Sequence, residues 1–308
     1  MNIAVIGIGG VGGYFGGKLT QLLQDKTKKH EVCFIARNRH LEEIRKNGLI
    51  LDSDEGEFVC RPTLATDSIE ELPQKLDLCL ICVKSYDLVN VLPRLQPKIG
   101  DHTMILPLLN GVDIYERIRT TIKNGIVFPA CIYVGTHIEK AGRVRQRGGA
   151  CIIHFGKDPR NGAGDPAIFN ILEQANIRYN WTGNPYTEIW TKFMFVAPFA
   201  MVTAAYNLTI GGVAKSEETA RITRRIMEEI HQIALKKGVP LSPTIVEEVF
   251  VKADTFPFST KTSFQRDYVT PGKQDERDLF GGTVIRLGRE LGTDTSTTEK
   301  VYTLITKQ

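Results

Sequence analysis

Gly7, Gly9 and Gly12 form G-x-G-x-x-G directly after Ile3-Ala4-Val5-Ile6, a short apolar run rich in β-branched residues. Such a run reads as a fully buried parallel strand. At a strand-to-helix turn each glycine has a steric purpose. Gly7 permits the tight turn, Gly9 lets a pyrophosphate approach the backbone, and Gly12 lets the new helix pack against the strand. Together with Ile8, Gly10 and Val11 they make a loop whose N–H groups, at the positive end of a helix, would hold phosphates. Ordinary glycine-rich turns carry the same letters. Here Val11, Phe15, Leu19 and Leu22 continue with helical spacing and a second strand follows at the expected distance, so the context matches dinucleotide binding.

Four further polar residues stand where chemistry is expected. Arg37-Asn38-Arg39 follows the second strand, Glu31 to Ala36, at the place where NAD would need a carboxylate for its ribose. A guanidinium suits a 2′-phosphate, which points to NADPH; a solvated helix start is the other reading of Arg37. Lys84 ends the strand 77–83, and Asn110 ends the run 103–109. Ligands of open α/β sheets collect at such carboxyl ends. A surface lysine and a turn residue before Gly111 are the plain alternatives. Lys192 lies in the apolar stretch Trp190-Thr191-Lys192-Phe193-Met194-Phe195. Partial desolvation there would make its ammonium a better acid for a carbonyl that gains charge on hydride transfer. A lysine packing its stem on a helix surface is the alternative.

The 308 residues suffice for one large domain or two ordinary ones, and 42% hydrophobic with 24% charged residues allow a sizeable core. A net charge of +4 without a basic stripe argues against a nucleic-acid partner. No apolar run has the length of a membrane span, and no secretory leader precedes the first strand. Cys79 and Cys82 sit three apart in an apparent buried strand, on opposite faces, so they suit neither a metal nor a disulfide. Six cysteines read as reduced thiols indicate a cytoplasmic protein, and the scattered histidines indicate no metal site.

These residues need an α/β domain to position them. A helix over 41–47 closed by Gly48, a hairpin from 49–51 and 57–60, and a polar, helix-like stretch over 66–74 follow the second strand. A short helix at 89–95, edge strands over 126–135 and 143–155, a helix over 165–174 and a strand near 177–181 complete this half. Gly183-Asn184-Pro185 is the linker candidate. Helices over 186–206, 215–237, 242–253, 276–291 and 297–306 follow, the third opening with Ser242 as N-cap and Pro243 at its first position. The fold class is therefore α/β: a Rossmann-type doubly wound sheet over residues 1–183 and an all-helical domain over 184–308, with the substrate between them.

The glycine loop, Arg37, Val83-Lys84, Asn110-Gly111, Trp190-Thr191-Lys192 and a late Glu276-x-Asp278 before Gly281-Gly282 together resemble the ketopantoate reductases (2-dehydropantoate 2-reductases) over nearly the whole chain. The resemblance implies that Lys192 is the general acid and that Glu276, or Asp275 in a shifted register, contacts cofactor and substrate. It further implies that Ser263 binds substrate and that Asn110 touches nicotinamide or substrate. Two family asparagines that would follow Lys192 by one and two turns are Val196 and Ala200 here; Asn207, further along, is the asparagine that remains to contact substrate. The function implied is NADPH-dependent reduction of a small 2-oxo acid, foremost 2-dehydropantoate to pantoate in pantothenate and coenzyme A biosynthesis. A paralogue for another 2-oxo or 3-hydroxy acid and a non-catalytic NADP-binding redox sensor are the rivals. A homodimer is compatible with this reading.

Overall fold

The computed structural model describes every residue except 25, 26, 28, 161, 163 and 308. The chain divides into two compact units, Met1–Asn110 with Ile114–Pro185, and Gly111–Asp113 with Tyr186–Gln308.

The first unit begins β1 (Asn2–Ile6), α1 (Gly10–Leu19), β2 (Glu31–Ile35), α2 (Asn38–Asn47), β3 (Leu49–Ser53), β4 (Gly56–Cys60) and β5 (Leu64–Thr66). It continues with β6 (Leu76–Ile81), α3 (Leu88–Leu95), β7 (Ile99–Pro107), α4 (Ile114–Thr121), β8 (Ile126–Val127) and β9 (Ala130–Tyr133). Then come β10 (Thr136–Lys140), β11 (Arg143–Gln146), β12 (Ile152–Phe155), α5 (Ala167–Gln174) and β13 (Arg178–Trp181). Six strands form one parallel sheet in the order β5-β2-β1-β6-β7-β8. This is the doubly wound nucleotide-binding order, and its direction reverses between β1 and β6. Ile3 to Ile6 are wholly buried, as strands covered on both faces require.

The remaining strands depart from expectation. Of the runs 126–135 and 143–155, only Ile126–Val127 extends the parallel sheet. The hairpin β3-β4 forms as read, but β11 and β10 join it in a separate sheet, β10-β11-β3-β4. β9, β12 and β13 make a third sheet over an aromatic cluster of Phe128, Phe155, Phe169 and Trp181. Residues 66–74 hold the end of β5 and a single 3-10 turn rather than a helix.

Helix α1 lies between two sheets, and glycine makes that sandwich thin enough. A Cβ on Gly16 would stand 3.1 Å from Phe34 on the parallel sheet. On the opposite side a Cβ on Gly13 would stand 2.5 Å from Val144, and one on Gly17 3.1 Å from Leu51 and Cys60. Charge then fastens the second sheet. Asp52 of β3 accepts from Arg143 at 3.0 Å, Arg145 at 3.1 Å and Arg147 at 2.7 Å, which together hold its carboxyl well below the usual carboxylate range. The buried Lys18 of α1 donates to Glu55 in the β3-β4 turn at 2.7 Å and to the Asn176 carbonyl at 2.7 Å. An ammonium out of water needs such partners.

The second unit contains α6 (Pro185–Ala205), α7 (Ile210–Lys215), α8 (Glu217–Lys236), α9 (Ile245–Phe250), α10 (Ser263–Tyr268), α11 (Thr283–Leu291) and α12 (Ser296–Lys307). In α8, Ile226, Ile230 and Ile233 form the buried face that their spacing indicates. The buried carboxylate of Glu229 accepts from the N–H groups of Thr297 at 2.9 Å and Thr298 at 3.0 Å, capping α12 from α8. Ser242 is not the N-cap of the third helix: its hydroxyl accepts from Thr244 N–H, and α9 starts at Ile245. Helices α7 and α10 are additional. Thr262, three residues before Gln265, carries the sequence pattern of a capping box and does accept from Gln265 N–H at 3.1 Å. The segment over 276–291 is also interrupted, because Asp278–Gly282 makes a π turn before α11.

Two predictions follow from this packing. Gly13→Ala should lower stability by roughly 1–3 kcal/mol through overpacking, and adding Val144→Ala should recover part of that loss; denaturant unfolding of the single and double variants measures both. His40 accepts from Gly142 N–H at 2.9 Å through Nδ1, and burial pushes its pKa down. The neutral ring is therefore favoured by folding. Its contribution is full above the unfolded value of about 6.5 and is lost as pH falls from there through the lower folded value. Denaturant midpoints should fall over that window, and less steeply in His40→Gln.

Candidate active site

The site residues of the first unit stand at the carboxyl edge of four adjacent strands. Gly7 leaves β1 with φ 96°, and the N–H groups of Gly7 and Ile8 both donate to Ile35 O, at 3.1 and 3.0 Å. A Cβ on Gly12 would collide with the Gly7 carbonyl oxygen, so helix and turn touch backbone to backbone. A Cβ on Gly9 would meet nothing within 4 Å, which leaves the loop open on that side. Gly9 is the N-cap of α1 and supplies no side chain to cap it. The first-turn N–H groups, including those of Val11 and Gly12, have no intrahelical acceptor. Backbone donors, an unobstructed glycine and the positive end of a ten-residue helix fit a dinucleotide pyrophosphate.

Arg37 follows β2 as the N-cap of α2, with its side chain more than half exposed. Its Nη1 lies 3.4 Å from Asp87, beyond the end of β6. The residue thus both begins a helix and presents a guanidinium at the sheet edge. Lys84, half-buried, precedes the 3-10 turn Ser85–Asp87 beyond β6. Asn110, also half-buried, precedes Gly111 at φ 121° beyond β7. In sheet order the contributors are β2, β1, β6 and β7, centred on the point where the strand order reverses. Neighbouring strands are about 4.8 Å apart, so these groups line a continuous ledge.

The second unit assembles its own candidates. Helix α6 is buried around most of its circumference; Glu188, Thr191, Lys192, Phe195 and Val196 form its half-buried stripe. Helical spacing puts these five on one face. Three rings join the segments that bear the other candidates. Phe193, next to Lys192, lies 6.4 Å from Phe280, and Phe280 lies 5.6 Å from Phe264, next to Ser263. Phe280 N–H donates to the carbonyl of Glu276 at 3.1 Å. Lys192, Ser263 and Glu276 therefore sit on three segments that share one aromatic core. Glu276 is buried and Ser263 exposed. The alternative carboxylate, Asp275, is engaged by Arg277 at 2.7 Å.

Asn207 does not join this group. It adopts φ 51° just past the end of α6, the left-handed conformation that asparagine tolerates at helix ends. Thirteen residues of rise separate Lys192 from the helix end at Ala205, about 20 Å along the axis and beyond the span of a small acid. Sequence reasoning also passed over a buried polar link beside the site. Thr203 of α6 lies 3.1 Å from Thr262, and Gln265 donates to the Thr203 carbonyl at 3.2 Å, tying α10 to α6. Among the described residues no group of three or more His, Cys, Asp or Glu could hold a metal, and no helix is long and apolar enough to cross a membrane.

Comparison with known proteins agrees with this geometry. Residues 3–160 match the family model "Ketopantoate reductase PanE/ApbA", and residues 184–308 match its C-terminal model. A Bacillus subtilis protein named "Uncharacterized oxidoreductase YkpB" is 27% identical, covering 98% of this chain and 97% of its own. The crystal structure of 2-dehydropantoate 2-reductase from Porphyromonas gingivalis is 28% identical with a TM-score of 0.81, covering 99% of this chain and 98% of that one. A PanE/ApbA family ketopantoate reductase from Ralstonia eutropha superposes with a TM-score of 0.85 at 25% identity, covering 100% of this chain and 98% of the other. A glycine-built dinucleotide ledge, a lysine-bearing helix and both family models over this one chain mean that it belongs to the ketopantoate reductase family and is an NAD(P)-dependent oxidoreductase of 2-oxo acids.

Proposed function

We propose that the chain reduces 2-dehydropantoate to pantoate with NADPH. The observation that carries this reading is the ledge itself. Glycine loop, Arg37, Lys84 and Asn110 succeed one another at the ends of β1, β2, β6 and β7, with an arginine in place of the carboxylate that NAD would require. Arg37 exchanges its long contact to Asp87 for the 2′-phosphate, a better partner for a planar fork of donors. The backbone from Gly7 to Gly12 holds the pyrophosphate, and Lys84 and Asn110 orient the nicotinamide end. Reduced nicotinamide dinucleotide supplies a hydride when bound.

At the substrate, C2 receives that hydride and the carbonyl π pair moves to oxygen. The Lys192 ammonium gives this oxygen its proton and is reprotonated from solvent. Glu276 orients lysine and ligand, and Ser263 bonds the substrate. The six cysteines, four of them buried, form no disulfide among the described residues, in keeping with a reducing cytoplasmic setting.

Two variants test separate parts of the reading. Lys192→Ala should lower kcat by roughly 10²–10⁴, the range for a lost general acid, while leaving dinucleotide affinity unchanged. Near-normal turnover by the folded variant would remove Lys192 from the reaction. Arg37→Ala should weaken NADPH by about tenfold or more and leave NADH unaffected, since a charge-assisted bidentate contact contributes ~1.5–3 kcal/mol. Titration of both dinucleotides by their fluorescence reads the difference.

A further inference from the structure

The half-buried stripe of α6 also bears on substrate choice, granted that Lys192 bonds the 2-oxo oxygen as above. Side chains on a helix lean toward its N-terminus, so Phe195 and Val196 cover the turn that carries Lys192. The Phe195 ring is held in place. It stacks on Phe256 with centroids 5.4 Å apart and planes at 14°, and it lies 4.7 Å from Phe199. Beyond it on α6, Phe199, Ala200 and Val202 are buried and apolar. The first polar side chain is Thr203, whose hydroxyl donates to the Ala200 carbonyl at 3.1 Å and lies 3.1 Å from Thr262. An acid seated on Lys192 therefore meets a packed apolar wall at its third carbon, and the next polar side chain of α6, Thr203, is already engaged with the Ala200 carbonyl and Thr262.

We infer that Phe195 and Val196 determine specificity by selecting branching at C3, and that the hydroxyl at C4 goes unread. The substrate class is C3-branched 2-oxo acids, hydroxylated or not. An apolar wall discriminates methyl groups by roughly 10–200-fold each, yet rejects an isostere that differs by a hydroxyl only weakly.

The experiment compares three acids with NADPH and the intact enzyme. They are 2-dehydropantoate, its deoxy analogue 3,3-dimethyl-2-oxobutanoate, and unbranched 2-oxobutanoate. The first two should show kcat/KM within about tenfold of each other, and the third should be at least about tenfold poorer. Calorimetric binding of the three corresponding 2-hydroxy acids should follow the same order, independently of turnover. Phe195→Ala should bring branched and unbranched acids toward parity, and Val196→Asn should raise the preference for the hydroxylated acid. A preference for 2-dehydropantoate over its deoxy analogue of more than about 1,000-fold would show a site built to bond the hydroxyl and overturn the inference. So would an unchanged branched-to-unbranched ratio in folded Phe195→Ala. Reduction of none of the three acids would overturn the reductase reading and this one with it; reduction of 2-dehydropantoate alone would overturn only the specificity.

Discussion

The first turn of the chain brings backbone directly against backbone, and the nucleotide half of the molecule depends on that approach. Gly12 rests on the Gly7 carbonyl with no room for a Cβ, while Gly7 and Ile8 both donate to the carbonyl that ends β2. This closure aims the start of α1 along the sheet edge. A side chain at either glycine would lift the helix away, and the first-turn donors would no longer converge on one phosphate position. The glycines further along α1 extend the same condition to its other side. There the antiparallel hairpin and β11 press against the helix through Leu51, Cys60 and Val144. One helix thus serves as phosphate anchor and as the layer between two sheets.

The helical unit uses the opposite means. Its central element, α6, is crowded with large side chains instead of stripped of them. Phe193, Phe264 and Phe280 interlock beside it, so three segments far apart in sequence share one core. Each ring neighbours a candidate polar residue, and close packing of the apolar partner limits where the polar one can move. The π turn at Asp278–Gly282 belongs to this arrangement. It lets Gly281 come against Tyr302 of α12, whose hydroxyl donates to Asp278 at 2.6 Å. Burial and that carboxylate push the Tyr302 phenol up to about 12. Single π turns of this kind are common at functional positions because they shift the register of the side chains that follow.

Family membership and substrate choice rest on different parts of the chain. The first follows from the two family models and the shared fold, which extend over nearly the whole chain. In the reading proposed above, the second depends on a few positions of one helix face, which can change without altering the fold. Phe195, stacked on Phe256, and Val196 stand in the half-buried stripe of α6.

Much of this was legible in the residues alone. Gly7, Gly9 and Gly12 after a β-branched run, the arginine after β2, and polar residues after the later strands are local signals, because a turn's steric needs are met by the residues within it. The isoleucine spacing of α8 and the hairpin at β3-β4 are local in the same sense. What only the tertiary structure decided is the pairing of segments remote in sequence. No periodicity tells β11 to lie parallel to β3, or separates β12 and β13 into their own sheet. Short strands alternate alike whichever partner they find, and the partner is chosen by what remains to be covered: α1 on one side, an aromatic cluster on the other. The same holds for the asparagine after α6. Its residue type suits a ligand contact or a helix end equally, and the left-handed backbone at Asn207, with the length of helix between it and Lys192, assigned it to the second.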